Sequence, residues 1–392
     1  MASPSGPETP SPNIYIPPEW SEAADCIAYD SVTWPPPIAL VCGAKNCGKS
    51  TFSRHLLNIF LRRYIKKLVT WIQMSVNRSS VLLVLFDNPA SEDTERCLFF
   101  GDVSSKTNPT TYLNSIFSLY DYYKKEYCLS DQSDRPTKTG LPLVVNTPGW
   151  VKGVGYDLLV DMLKYIAPTH VVKINISAKS KNLPSGAFWL DEDHDAMLNL
   201  IEINSARQDS FNRSVLVQKD ARLLHDVRIL AYFRQCFSSS LNITTIKELA
   251  NALASQPPYE VPISSIKIRH LHCQVPGAES FYSLNATIVG LAVSSGGSKD
   301  LPWCVGLGIV RGIDTVKGLL YVITPVPRGT LEKVNLFLQG YIQIPTVLLQ
   351  VTEPLPCNTC FRPIVCFFIV SHMHSSLDSL PFSKYNMILE KE

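Results

Sequence analysis

Apolar and polar positions along the chain change texture twice. Residues 1–37 carry Ser3, Pro4, Pro10, Pro12, Pro17, Pro18, Pro35, Pro36 and Pro37, a composition that resists helix and predicts an extended N-terminal arm. The run Ile38-Ala39-Leu40-Val41-Cys42 then turns into Gly43, and Phe52, Leu56, Ile59 and Phe60 recur beyond it at helical spacing. The order is strand, glycine loop, helix. Val81-Leu82-Leu83-Val84-Leu85-Phe86 reads as a strand that stops at Asp87-Asn88. Leu141-Pro142-Leu143-Val144-Val145 leads into Asn146-Thr147-Pro148-Gly149-Trp150, after which Leu158, Leu159, Met162, Leu163 and Ile166 mark one helix face. Val171-Val172-Lys173-Ile174 is a further strand. Strands alternating with helices from 38 to about 240 predict an α/β fold, a parallel sheet flanked by helices.

From about 260 the helical period fades. Ile263 to Ile268, Ala286 to Val293, Val305 to Val310, Leu319 to Ile323 and Leu336 to Ile344 read as strands punctuated by Gly and Pro. The expected organisation is the arm at 1–37, the α/β domain at 38–250, a smaller β-rich C-terminal domain at 251–350 and a separate tail at 351–392.

A chain of 392 residues that is 45% hydrophobic is long enough for about two domains. Its net charge of +2, from 36 basic and 34 acidic residues, gives no global attraction to nucleic acid or to an anionic membrane, so any polyanion site must be local. The eleven cysteines are scattered and follow no cationic-plus-apolar leader, which points to reduced thiols in the cytosol or nucleus. The sequons at Asn77, Asn212, Asn242 and Asn285 are then expected to stay unmodified. The apolar stretch Ile364 to Val370 is far shorter than the ~20 residues of a membrane-spanning helix, so no membrane is expected as a partner.

The segment Gly43-Ala44-Lys45-Asn46-Cys47-Gly48-Lys49-Ser50 fits the phosphate loop G-x-x-x-x-G-K-S, and it sits between a strand and a helix as that motif requires. Glycines let backbone N–H groups curl around phosphates, and the helix N-terminus adds positive potential. Lys49 is placed to reach the β- and γ-phosphates of ATP, and Ser50, followed by Thr51, offers an oxygen to Mg2+. Phosphoryl transfer also needs carboxylates, and Asp87 at its strand end is the best candidate. Asn146-Thr147-Pro148-Gly149 also resembles the D-T-P-G switch of GTPases with Asn in place of Asp, and Ser177-Ala178-Lys179 echoes a guanine-site motif. No Asn-Lys-x-Asp element follows to read guanine donors, so a GTPase-like switch is a secondary alternative.

Cys42 to Phe52, then Asn146 to Trp150, then Pro168-Thr169-His170-Val171-Val172, resemble the polynucleotide 5′-hydroxyl kinases, in particular their nucleolar branch in pre-ribosomal RNA processing. Gly306 to Asp314 and Ile323-Thr324-Pro325-Val326-Pro327 are similar to the C-terminal domain of that branch. The resemblance implies a P-loop NTPase fold, ATP-dependent phosphorylation of an RNA or DNA 5′ end, a nuclear and nucleolar setting, and an endoribonuclease partner. It also implies that Thr147, Gly149 and Trp150 form a clasp for the P-loop lysine, and that Arg222 and Arg228 lie in a lid over the phosphates. Arginine suits that lid because its planar fork grips phosphate oxygens in pairs. Where the family carries Asp-x-Asp-x-Gly-Gln for magnesium and the attacking hydroxyl, this chain reads Leu68-Val69-Thr70-Trp71-Ile72-Gln73-Met74-Ser75, with no acid. A nucleotide-binding relative without transfer therefore stands as the other alternative.

Three lesser constellations carry a plainer reading beside the functional one. Arg62-Arg63-Tyr64-Ile65-Lys66-Lys67 can touch a nucleic-acid backbone or simply end a helix. Cys357-Asn358-Thr359-Cys360 with Cys366, His372 and His374 offers zinc ligand types without a matched second pair. Asp191-Glu192-Asp193-His194-Asp195 reads as a solvated acidic loop.

Overall fold

The computed structural model describes residues 15–30, 36–63, 69–73, 80–86, 93–128, 141–190, 199–206, 221–294 and 301–348, with the backbone alone at 30, 63, 69–73, 80–86, 93–95, 221–224 and 278. Asp87, the acidic run at 191–195 and the cysteine and histidine group at 357–374 lie outside the described residues.

The chain folds as two compact units, each discontinuous in sequence: Met1–Gln73, Val84–Asp93 and Tyr120–Asn212 in one, Met74–Leu83, Thr94–Leu119 and Arg213–Glu392 in the other. In chain order the first elements are α1 (Pro18–Asp30), β1 (Ile38–Gly43), α2 (Lys49–Arg63), β2 (Val69–Gln73), β3 (Ser80–Phe86), β4 (Asp93–Phe99), α3 (Pro109–Tyr123), β5 (Leu143–Asn146), α4 (Val154–Ile166), β6 (His170–Asn175) and β7 (Asn199–Asn204). Their strands form one sheet in the order β4-β3-β2-β5-β1-β6-β7. β2, β5, β1, β6 and β7 pair in parallel, as the alternating pattern predicts. Ala39 to Gly43 are buried at every position, so the central strand β1 is covered on both faces.

Two of the helices are set by their ends. Asn108 accepts from the Thr111 N–H at 3.1 Å and Pro109 follows it, an N-cap and a proline at the first helical position. α4 begins after Gly153, at φ 58°, and stops where Ala167 turns left-handed at φ 46° and donates to the Leu163 carbonyl.

Composition misled at the N-terminus. Pro18–Asp30 is a helix, not an extended arm: Trp20, Ala23, Ala24, Ile27 and Ala28 are buried at helical spacing, and Pro18 stands where a helix tolerates proline.

The remaining strands and α-helices are α5 (Ala221–Arg234), α6 (Ile246–Ser255), β8 (Tyr259–Pro262), β9 (Lys267–His270), β10 (Thr287–Val293), β11 (Trp303–Asp314), β12 (Leu319–Ile323), the short α7 (Arg328–Leu331) and β13 (Leu336–Gln339). Their sheet runs β8-β12-β11-β10-β13-β9, antiparallel except where β13 meets β9. The strand expected over Ile263 to Ile268 is instead a turn followed by the first two residues of β9. Pro262 ends β8, a 3-10 turn at Ile263–Ser265 intervenes, and β9 starts at Lys267. The strand expected over Leu336 to Ile344 stops at Gln339, because the next residue, Gly340, lies against the Gly101 backbone so closely that no side chain fits.

β8 and β9 occupy opposite edges of this sheet. Six strands lying flat would hold those edges about 24 Å apart. The five peptide steps from Pro262 to Lys267 reach at most about 18 Å, so the sheet curls toward a barrel. Successive residues divide between two cores: Phe337 joins Val289, Leu291, Val310 and Leu320, whereas Leu336 and Leu338 join Ile288, Ile309 and the helices α5 and α6.

Candidate nucleotide site

The site is built in the first unit where β1 ends and α2 begins, outside the carboxyl end of a parallel sheet, where open α/β sheets place ligands. Gly43 takes φ 142°, and a Cβ there would stand 2.5 Å from the Ile174 carbonyl oxygen of β6. Asn46 is left-handed at φ 63° and Gly48 takes φ 106°. The Cys47 N–H closes back on the Ala44 carbonyl at 3.4 Å, and the Gly48 carbonyl accepts from Phe52 at 2.9 Å as α2 starts. Gly43, Ala44, Lys45, Asn46, Cys47 and Gly48 thus form one turn of backbone, with Lys49, Ser50 and Thr51 in the first turn of the helix. Such a turn is a nest for anionic oxygens.

Lys49 is buried, and its ammonium bends onto its own loop. Nζ donates to the Gly43 carbonyl at 3.1 Å and the Ala44 carbonyl at 2.7 Å, and lies 3.9 Å from Cys47 Sγ. Burial lowers its pKa from the ordinary lysine value. The same loss of water pushes the Cys42 thiol up to about 12 and raises that of Cys47, so both stay protonated beside the lysine.

The Ser50 hydroxyl accepts from Asn146 Nδ2 at 3.0 Å, a bond that ties the loop to the end of β5. Asn146 stands opposite Val41 on β1, and Gln73 at the end of β2 stands opposite Asn146. Thr147 bonds to the Val41 carbonyl through both its N–H, at 3.2 Å, and its hydroxyl, at 2.8 Å. Gly149 abuts the loop itself: a Cβ on it would fall 2.5 Å from Lys45 Cα. Trp150 packs over Gly155 in the first turn of α4. The residues grouped as a clasp therefore meet the loop at β1 and Lys45, while the lysine bonds within the loop.

Other sequence candidates belong to other elements. Arg222 and Arg228 are on α5, which belongs to the second unit. Arg62 is exposed near the end of α2. Sequence reasoning passed over Asn146, although it quoted the segment that contains it. It also passed over Trp20 and Ser205, which reach the loop from α1 and from just beyond β7. Among the described residues no group of three or more His, Cys, Asp or Glu could hold a metal, and no helix is long and apolar enough to cross a membrane.

Comparison with known proteins agrees with this architecture. The family model for the mRNA cleavage and polyadenylation factor CLP1 P-loop matches residues 43–235, and that for the NOL9-like C-terminal domain matches 254–345. The chain is similar to polynucleotide 5′-hydroxyl-kinase NOL9 of Arabidopsis thaliana, 55% identical over 354 residues that cover 86% of this chain and 94% of that one. Likeness to the proteins of the same name from Danio rerio and Homo sapiens is 28% and 27%, each over 80% of this chain. The chain spans about half the length of these two, 47% and 50%. A solved Clp1p–Pcf11p complex shares the fold, with TM-score 0.55 and 13% identity over 83% of this chain and 78% of that one.

Proposed function

This chain belongs to the polynucleotide 5′-hydroxyl-kinase family, and from that premise we propose that it transfers the γ-phosphoryl group of ATP to the 5′-hydroxyl of an RNA end in ribosomal RNA processing. The observation that carries the reading is the complete phosphate loop, with Lys49 in its cradle and Ser50 tied to Asn146. The hydroxyl oxygen bonds to the γ-phosphorus, the bond to the bridging oxygen of ADP breaks, and the hydroxyl proton passes to a base. Such transfer rests mainly on positioning and charge.

In this mechanism Lys49 exchanges the Gly43 and Ala44 carbonyls for the β- and γ-phosphates, where its charge is matched. Gly149 and Thr147 keep the loop in register with β5, and Trp150 fixes the start of α4. Arg222 and Arg228 close over the phosphates, and Asp87 takes the proton. A hydroxyl with a single amide partner suits Mg2+, which keeps most of its shell as water and phosphate oxygens, so Ser50 is the residue that would hold it. Bound there, the ion supplies neutralisation of charge on the transferring group. The partners of this reading are an RNA 5′ end and an endoribonuclease, and its setting is the nucleus and nucleolus.

A second reading, nucleotide binding without transfer, is favoured by the acid-free stretch at 68–75, whose strand β2 sets Gln73 beside Asn146. Labelled γ-phosphate transfer from ATP to a 5′-hydroxyl oligoribonucleotide separates the two, with Lys49→Ala as control. Transfer that disappears in Lys49→Ala supports the kinase. ATP binding with no transfer by the unaltered chain rejects it in favour of the second reading.

A further inference from the structure

The phosphate loop is held from behind by groups that its motif does not contain. The indole of Trp20 is buried against Gly48: a Cβ on that glycine would stand 2.5 Å from Cη2 of the ring. The ring also meets Phe52 edge to face, with centroids 5.7 Å apart and planes at 81°. It therefore touches both Gly48, whose carbonyl accepts the first hydrogen bond of α2, and Phe52, whose N–H donates it.

The indole itself is locked. Trp20 Nε1 donates to the Asn204 carbonyl at 2.7 Å, and the neighbouring Glu19 carboxylate accepts from the Asn204 N–H at 3.1 Å. The next residue completes the brace, because the Ser205 hydroxyl donates to the Cys47 carbonyl at 2.9 Å. In a trans peptide the carbonyl and the following N–H point in opposite directions. A bond that draws the Cys47 carbonyl toward Ser205 thus turns the Gly48 N–H away from it.

We propose that Trp20 and Ser205 are positioning residues for triphosphate binding: Ser205 fixes the Cys47–Gly48 peptide plane, and Trp20 fixes Gly48 at the φ that aims the loop's N–H groups at phosphate. The inference rests on the reading of residues 43–51 as the ATP site. Neither side chain touches nucleotide; both act through the backbone that does. Loss of either loosens the cradle, so affinity for ATP falls while the rest of the first unit keeps its fold.

The test measures ATP·Mg2+ binding by calorimetry for wild type, Trp20→Phe, Trp20→Leu, Ser205→Ala, Ser205→Thr and Lys49→Ala, with melting temperatures alongside. Ser205→Ala is expected to weaken binding about tenfold, about 1.4 kcal/mol, with Tm nearly unchanged, and Ser205→Thr, which keeps the hydroxyl, to recover most of it. Trp20→Leu is expected to bind more weakly than Trp20→Phe, which keeps a ring against Gly48. In protein labelled with 5-fluorotryptophan, the 19F resonance lost in Trp20→Phe should shift when ATP is added to wild type. Binding by Ser205→Ala and Trp20→Leu within about twofold of wild type, or a 19F resonance indifferent to ATP, overturns the proposal. Wild type that binds ATP no better than Lys49→Ala overturns the underlying assignment of the site instead.

Discussion

Lys49 sits in the fold as a charge that water has largely left, balanced by two carbonyl oxygens of its own loop. Its lowered pKa means that the surroundings favour the neutral amine. The unfolded chain then holds the proton more tightly than the fold does, so stability rises as pH climbs from the folded value toward 10.5. The melting temperature of wild type minus that of Lys49→Met is expected to increase over that window; a difference that stays flat with pH defeats the assignment. The sequence announced the residue types here through the spacing of Gly43, Gly48, Lys49 and Ser50. It was silent on what each side chain would bond, since the partners are backbone atoms and remote side chains such as Asn146, 96 positions from Ser50, and Ser205, 158 positions from Cys47.

At the scale of elements, strands and helices with a clear period were legible: β1, α2, β5, α4 and β6 fall where the apolar spacing put them. α1 was hidden by averaging. A window full of proline and serine reads as extended, although Pro18 begins a run whose apolar residues lie on one face. α6 carries the opposite lesson, a helix whose start is written in four residues. The Thr245 hydroxyl accepts from the Glu248 N–H at 3.2 Å, and the Glu248 carboxylate accepts from the Thr245 N–H at 3.1 Å. Thr245→Ala should cost about 1 kcal/mol, read as a lower denaturant midpoint for the second unit with an unchanged slope. An unchanged midpoint would show that packing against the sheet, and not the cap, fixes this end.

Seen whole, the chain builds each unit from separated stretches, which no local pattern announces. Phe99 on β4, Val227 and Phe233 on α5 and Leu249 on α6 cover one face of the sheet that carries Ile288 and Leu338. A fragment of residues 251–348 leaves that face to water. It is expected to bind a hydrophobic dye and to melt without a cooperative transition, and extension back to residue 221 should restore part of the cooperativity. A monomeric 251–348 with a sharp transition and no dye binding would show instead that the curled sheet is self-sufficient.

The same arrangement has a consequence during synthesis. Phe99 leaves the ribosome about 130 residues ahead of Val227, and at roughly 5–20 residues per second its partners arrive after an interval on the order of ten seconds. Through that interval the nascent chain presents apolar side chains from β4 with no sheet or helix of their own core yet made. Chaperone occupancy on ribosome-bound chains should therefore begin as β4 emerges and end only once β13, the last strand of that core, has cleared the exit tunnel.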